Sequence, residues 1–183
     1  MPEQISNNKR IMYQDKFKLD LQRYDMHPIF YVRVFLFLYR RYFATKWALN
    51  RFIIKALFRI VSKRRGMEIA LKNQIGDGLY LGHVYNITIN PDVKIGNNCN
   101  LHKGIVIGQE NRGARKGVPT IGNSVWIGIN AAIVGNITIG DDVLIAPNSY
   151  VNRDIPSHSI VFGNPCIVKP CENATDLYVH NKI

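Results

Sequence analysis

The chain has 183 residues, 46% of them hydrophobic, and a formal net charge of +11, which is length enough to bury one sizeable core. Its three cysteines, Cys99, Cys166 and Cys171, are odd in number and form no CxxC pair, which argues against a disulfide framework or a cysteine zinc site and suits a reducing compartment. The opening "MPEQISNNKRIMYQDK" is polar and lacks the apolar core of a secretory signal, so a cytoplasmic location is expected.

The charge divides the chain. Residues 1–66 hold 15 Lys+Arg and 4 Asp+Glu, a balance of +11, whereas residues 67–183 hold 9 of each, a balance of zero. The first part is expected to be a basic, aromatic-rich helical region. Within it "FYVRVFLFLYRRYFATKWALNRFIIKALFRIVSKRRG" (30–66) spaces Arg51, Lys55 and Arg59 by four and Arg33 and Arg40 by seven, which puts a basic stripe on a helix face. Its longest apolar run, "VFLFLY", falls far short of the roughly 18 residues of a spanning helix. Two readings stay open: amphipathic helices packed on the rest of the protein or on another subunit, or an interfacial helix whose Lys and Arg meet anionic lipid. No nucleic-acid module accompanies the charge, so no nucleic-acid partner is expected.

From Ile69 the helical period gives way to a period of six. Aliphatic residues stand at Ile69, Ile75, Leu81 and Ile87, then after an eight-residue step at Ile95, Leu101 and Ile107, then after a fourteen-residue step at Ile121, Ile127, Ile133, Ile139, Ile145 and Val151. A glycine or another small residue often follows, and a small or β-branched residue often comes four later. Six is a multiple of the strand period of two, so both positions face inward while Gly or Asn relieves each corner. The consequence is a prism of short strands, each rung hydrogen-bonded to the next, which needs a cap and partners for its open surfaces.

This pattern resembles the hexapeptide-repeat acyltransferases, and the resemblance covers residues 67–170. It implies a mainly β fold, a left-handed parallel β-helix with three hexapeptides per coil, and assembly as a homotrimer; the short N-terminal helical region precedes it, the fourteen-residue step should leave the prism as a protruding loop at 108–120, and residues 171–183 form a tail. Within that family "IGDGLYLGHVYNITINPDVKIGNNCNLHKGIVIG" and "FGNP" (162–165) are similar to serine acetyltransferases and bacterial polysaccharide O-acetyltransferases, and "DLQRY" (20–24) resembles the "DLxRY" of the polysaccharide branch.

The resemblance implies roles for particular residues. His83 matches the general base that takes a proton from the acceptor hydroxyl as it attacks the thioester of acetyl-CoA, and Glu68, fifteen residues earlier, matches an Asp that orients that histidine. His102 is expected to neighbour His83 and bind the acceptor, or to be a polar corner residue. Arg112, Arg115 and Lys116 in the loop are expected to meet a coenzyme A phosphate or an anionic glycan. Coenzyme A is expected between adjacent prisms, against Gly128, Ile129, Ala146 and Pro147 with Lys169 near the closing turn. No metal is expected, and direct transfer needs no cysteine nucleophile.

Departures from the serine enzymes bear on the acceptor. Those enzymes place an acid before the catalytic histidine and an Arg-His pair before the loop's closing proline; this chain has Gly82, and Gly117-Val118 before Pro119. A serine zwitterion would lack both countercharges, whereas a neutral sugar hydroxyl needs neither. The expected function is therefore acetyl-CoA-dependent O-acetylation of a sugar hydroxyl of a bacterial surface polysaccharide or its precursor, with a membrane contact through the basic N-terminus. Serine O-acetylation is the alternative, and a gamma-type carbonic anhydrase with three histidine ligands or a non-catalytic trimeric scaffold stands behind it.

Overall fold

A computed structural model describes residues 15–183. Helix α1 runs to residue 22, followed by α2 (Phe30–Ala44) and α3 (Ala48–Lys63), and the rest is a three-faced prism of parallel strands. The first face stacks β1 (Gln74–Ile75), β4 (Lys94–Ile95), β7 (Thr120–Ile121) and β10 (Thr138–Ile139). The second stacks β2 (Tyr80–Gly82), β5 (Asn100–His102), β8 (Trp126–Ile127), β11 (Val143–Ile145) and β13 (Ser159–Phe162), and β14 (Ile167–Pro170) closes it antiparallel to β13. The third stacks β3 (Thr88–Ile89), β6 (Val106–Gly108), β9 (Ala132–Val134) and β12 (Tyr150–Val151).

The hexad positions are the registered columns. Ile75, Ile95, Ile121 and Ile139 pair along one face, and Leu81, Leu101, Ile127, Ile145 and Val161 along the next. Ile89, Ile107, Ile133 and Val151 form the third column, and all of these side chains are buried. Column spacing also dictates glycine: a Cβ on Gly96 would lie 2.5 Å from the carbonyl oxygen of Gly122.

One expectation about register is corrected. The eight-residue step lies between Leu81 and Ile89, not between Ile87 and Ile95, because Ile89 is the residue paired with Ile107. Ile87 is fully buried one pleat away, where its carbonyl accepts from Glu68 N–H. Residues 87 and 89 face the same way at the strand period of two, so counting sixes cannot choose between them. The two extra residues therefore enlarge the corner at 83–86, which carries His83.

The helices close the open first coil. Val32, Phe35, Leu36 and Tyr39 of α2 are buried, and Tyr39 Oη donates to the Asn73 carbonyl at 2.6 Å. Helix α3 touches this layer through Phe58, whose ring lies 4.9 Å from that of Phe35, while most of its length is exposed. The 171–183 tail is docked: Asp142 accepts from Ala174 N, Thr175 N and Thr175 Oγ1 at 2.7–3.0 Å, and Thr175 is fully buried.

Candidate active site

His83 follows β2 at the enlarged corner, where its backbone takes φ +51°. This left-handed conformation is uncommon outside glycine, although Asn, Asp and His are enriched in it. Other corners use Asn98, Ser124, Asn130 and Asp142 the same way, so His83 takes the backbone conformation that turn residues take at those corners. The side chain is exposed and lines a cleft of about 850 Å³.

The imidazole of His102, on the next coil, has its ring centre 6.5 Å from that of His83. Its Nδ1 lies 2.9 Å from the Ile127 carbonyl oxygen; a carbonyl only accepts, so Nδ1 carries the proton and Nε2 is left with a lone pair when the ring is neutral. Burial pushes the His102 pKa down, against the raising effect of that hydrogen bond and with a further lowering from His83. The neutral form is thereby favoured.

His102 Nε2 lies directly over Gly82. A Cβ built on Gly82 would sit 2.6 Å from Nε2 and 2.5 Å from Cδ2, inside any van der Waals contact. The imidazole thus occupies the space that a side chain before His83 would need. It also packs on Trp126 at 4.7 Å, Trp126 packs on Tyr178 at 5.1 Å, and Tyr80 stacks on Tyr24 at 4.4 Å. Aromatic rings with one polar edge each therefore line the cleft beside His83.

"DLQRY" builds the other side of the cleft and acts as a latch. Asp20 is fully buried, takes a bidentate ion pair from Arg40 at 2.8 and 2.9 Å, and accepts from Leu79 N–H at 2.9 Å. Arg40 donates onward to the Ile75 and Gly76 carbonyls, and its guanidinium is held charged by Asp20. Arg23 donates to Gly78 O, His180 O and Asn100 Oδ1. The Tyr24 hydroxyl meets Leu81 N–H, and burial pushes its pKa up.

The remaining expected residues lie elsewhere in the single chain. Glu68 is bridged to Thr88 on the third face and lines a separate hollow of about 410 Å³, so its carboxylate makes no hydrogen bond to His83. In the loop, closed by a Glu110–Gly117 bridge, Arg115 donates to the Asn152 carbonyl, while Arg112 and Lys116 are exposed away from the His83 cleft. Gly128 N–H and Ala146 N–H are spent on the Ile145 and Val161 carbonyls at 2.8 Å, and Pro147 has no N–H. Of the coenzyme positions this leaves Ile129 N–H without a partner among the described residues. Lys169 Nζ lies 5.6 Å over the Phe162 ring. Among the described residues no group of three or more His, Cys, Asp or Glu is placed to hold a metal, and burial pushes the Cys99 thiol up to about 12, which keeps it protonated.

Sequence reasoning missed several cleft residues. His27 and His180 fall outside the repeats, yet both line the cleft with His83, as do Trp126 and Tyr178. "DLQRY" was the available signal, since a motif ending in Arg-Tyr just before His27 must dock somewhere.

Comparison with known proteins agrees with this architecture. Residues 119–153 match the bacterial transferase hexapeptide (six repeats). The chain is 34% identical over 113 residues to a serine acetyltransferase of Helicobacter pylori, covering 62% of this chain and 66% of that one. It is 37% identical over 100 residues to the serine acetyltransferase of Staphylococcus xylosus, covering 55% and 46%. The chain thus spans just under two thirds of the first of these relatives and under half of the second. Among solved structures, a Neisseria gonorrhoeae serine acetyltransferase in complex with serine superposes with a TM-score of 0.68 at 25% identity, covering 87% of this chain and 69% of that one. A Brucella abortus serine acetyltransferase superposes with a TM-score of 0.71 at 21% identity, covering 94% and 74%. The repeat region has the fold of a left-handed parallel β-helix, and residues 119–153 within it match transferase hexapeptides.

Proposed function

We propose that this hexapeptide-repeat chain is an acetyl-CoA-dependent O-acetyltransferase in which His83 is the general base. The observation that carries the reading is the exposed His83 imidazole at an enlarged coil corner, facing a cleft of about 850 Å³. An acceptor hydroxyl gives its proton to the neutral imidazole as its oxygen attacks the thioester carbonyl. The tetrahedral intermediate then collapses, the C–S bond breaks, and the imidazolium returns the proton to the departing coenzyme A thiolate. Ile129 N–H, unpartnered among the described residues, is a donor for the oxyanion or for coenzyme A in a groove completed by a neighbouring prism of a homotrimer. Glu68, bridged to Thr88 and lining a separate hollow, takes no part in this step. Arg112, Arg115, Lys116 and Lys169 are assigned to anionic groups of the substrates across that groove.

The comparisons support a serine hydroxyl as the acceptor better than the sugar hydroxyl expected from sequence, since the relatives described above are serine acetyltransferases. One observation favours the sugar of a bacterial surface polysaccharide as a second reading: residue 82 is Gly with the His102 imidazole packed over it, so no acid stands there to hold an amino group, and aromatic rings line the cleft instead. Release of coenzyme A thiol from acetyl-CoA, with L-serine and with capsule or lipopolysaccharide oligosaccharides as acceptors, separates the two. Stimulation by serine establishes the first reading; stimulation by a glycan alone establishes the second.

A further inference from the structure

We infer that the α2–α3 hairpin is a docking surface for a bilayer rich in anionic phospholipid. Helix α3 carries two apolar faces. Ile54, Phe58 and Val61 turn toward α2 and the prism, whereas Leu49, Phe52, Ile53, Leu57 and Ile60 are exposed, with Leu49 and Phe52 at 70%. At helical spacing these exposed residues share one stripe, and Arg51, Lys55, Arg59 and Lys63 flank it. Trp47, 77% exposed, stands at the start of the stripe. This is the make-up of a helix that lies in the plane of a membrane interface, and among the described residues no helix is long and apolar enough to cross one.

Charge selects the occupant. Residues 26–67 contain ten Lys and Arg and not one Asp or Glu. Among the ten, Arg40 is buried against Asp20, while Lys46, Arg51, Lys55, Arg59, Lys63 and Arg64 are exposed. A second copy meeting this face about a two-fold axis would set cations against cations. An anionic lipid surface would instead gain from each of them. The apolar surface also meets the His83 cleft at Ile29, which is exposed and lines that cleft.

The test is co-sedimentation of the full chain with vesicles of phosphatidylglycerol and phosphatidylcholine, and with vesicles of phosphatidylcholine alone. The expected result is partition onto the anionic vesicles only. Arg51→Glu/Lys55→Glu/Arg59→Glu should weaken it by roughly a hundredfold or more, and Leu49→Ser/Phe52→Ser/Leu57→Ser should also weaken it. Both variants should keep the wild-type melting temperature and sedimentation coefficient, since none of the six side chains belongs to the buried core. Failure of the wild type to bind anionic vesicles, or binding that ignores the charge reversal, overturns the inference. So does a smaller assembly for the serine variant in analytical ultracentrifugation, which would make the face an interface between copies. None of these outcomes depends on the acceptor of the transferase.

Discussion

Nε2 of His102 lies where a Cβ of residue 82 would come within 2.6 Å of it, so the identities of these two residues on adjacent coils are coupled. Gly82→Asp should cost about 1–3 kcal/mol through overpacking in the wild type. In a His102→Ala background the same substitution should cost markedly less, because the imidazole it meets is gone. A double-mutant cycle by urea denaturation measures the difference, and strict additivity would show that Gly82 is glycine for another reason.

The proton on His102 gives a pH signature. Its folded pKa is depressed, first by burial, below the ordinary 6.5, so the unfolded chain binds the proton more readily. Its contribution to stability is complete above about pH 6.5 and is lost as pH falls through the folded value. Wild-type stability should therefore decline more steeply below that pH than stability of His102→Leu, read as melting temperature against pH for both proteins.

The latch is a costly place to break the fold. Asp20→Ala leaves the Arg40 guanidinium buried without its partner and Leu79 N–H without an acceptor, and should lose about 3–5 kcal/mol. Chemical denaturation reads this directly. Replacing both Asp20 and Arg40 with apolar residues should recover part of the loss.

How much of this was legible beforehand depended on what kind of order was sought. The prism was written in the hexads, because an inward aliphatic column needs the same residue type at every turn. The register of Ile87 and Ile89 was not, since both are inward-facing isoleucines and only the hydrogen-bond ladder distinguishes them. "DLQRY" was visible as a motif, yet its work as a latch depends on Arg40, Asn100 and the carbonyl of His180, which lie 20 to 157 positions away from their partners. His83 was placed by resemblance; its neighbours Trp126, Tyr178 and His27 come from three segments that only folding joins. The fifteen-residue spacing of Glu68 suggested contact with His83, but the two extra corner residues set Glu68 beneath Thr88 on the next face.

Tail docking should be separable from the prism. Asp142 is held below the usual carboxylate range: burial raises it, and the hydrogen bonds from Thr175, His158 and Ala174 outweigh that. Hydrogen bonds to a charged acceptor contribute about 1.5–3 kcal/mol each, so Asp142→Ala should expose the tail around Ala174 and Thr175 to proteolysis while circular dichroism of the β-helix is retained. An equally protected tail would contradict the assignment.

The central claim is that His83 moves the proton, and its most direct test is the rate of coenzyme A thiol release by wild type and His83→Ala with whichever acceptor, L-serine or oligosaccharide, the wild type uses. The expected result is a loss of about 10²- to 10⁴-fold in kcat with the melting temperature and the KM for acetyl-CoA unchanged. A variant that turns over at the wild-type rate would contradict the role given to His83 and leave the cleft without its base.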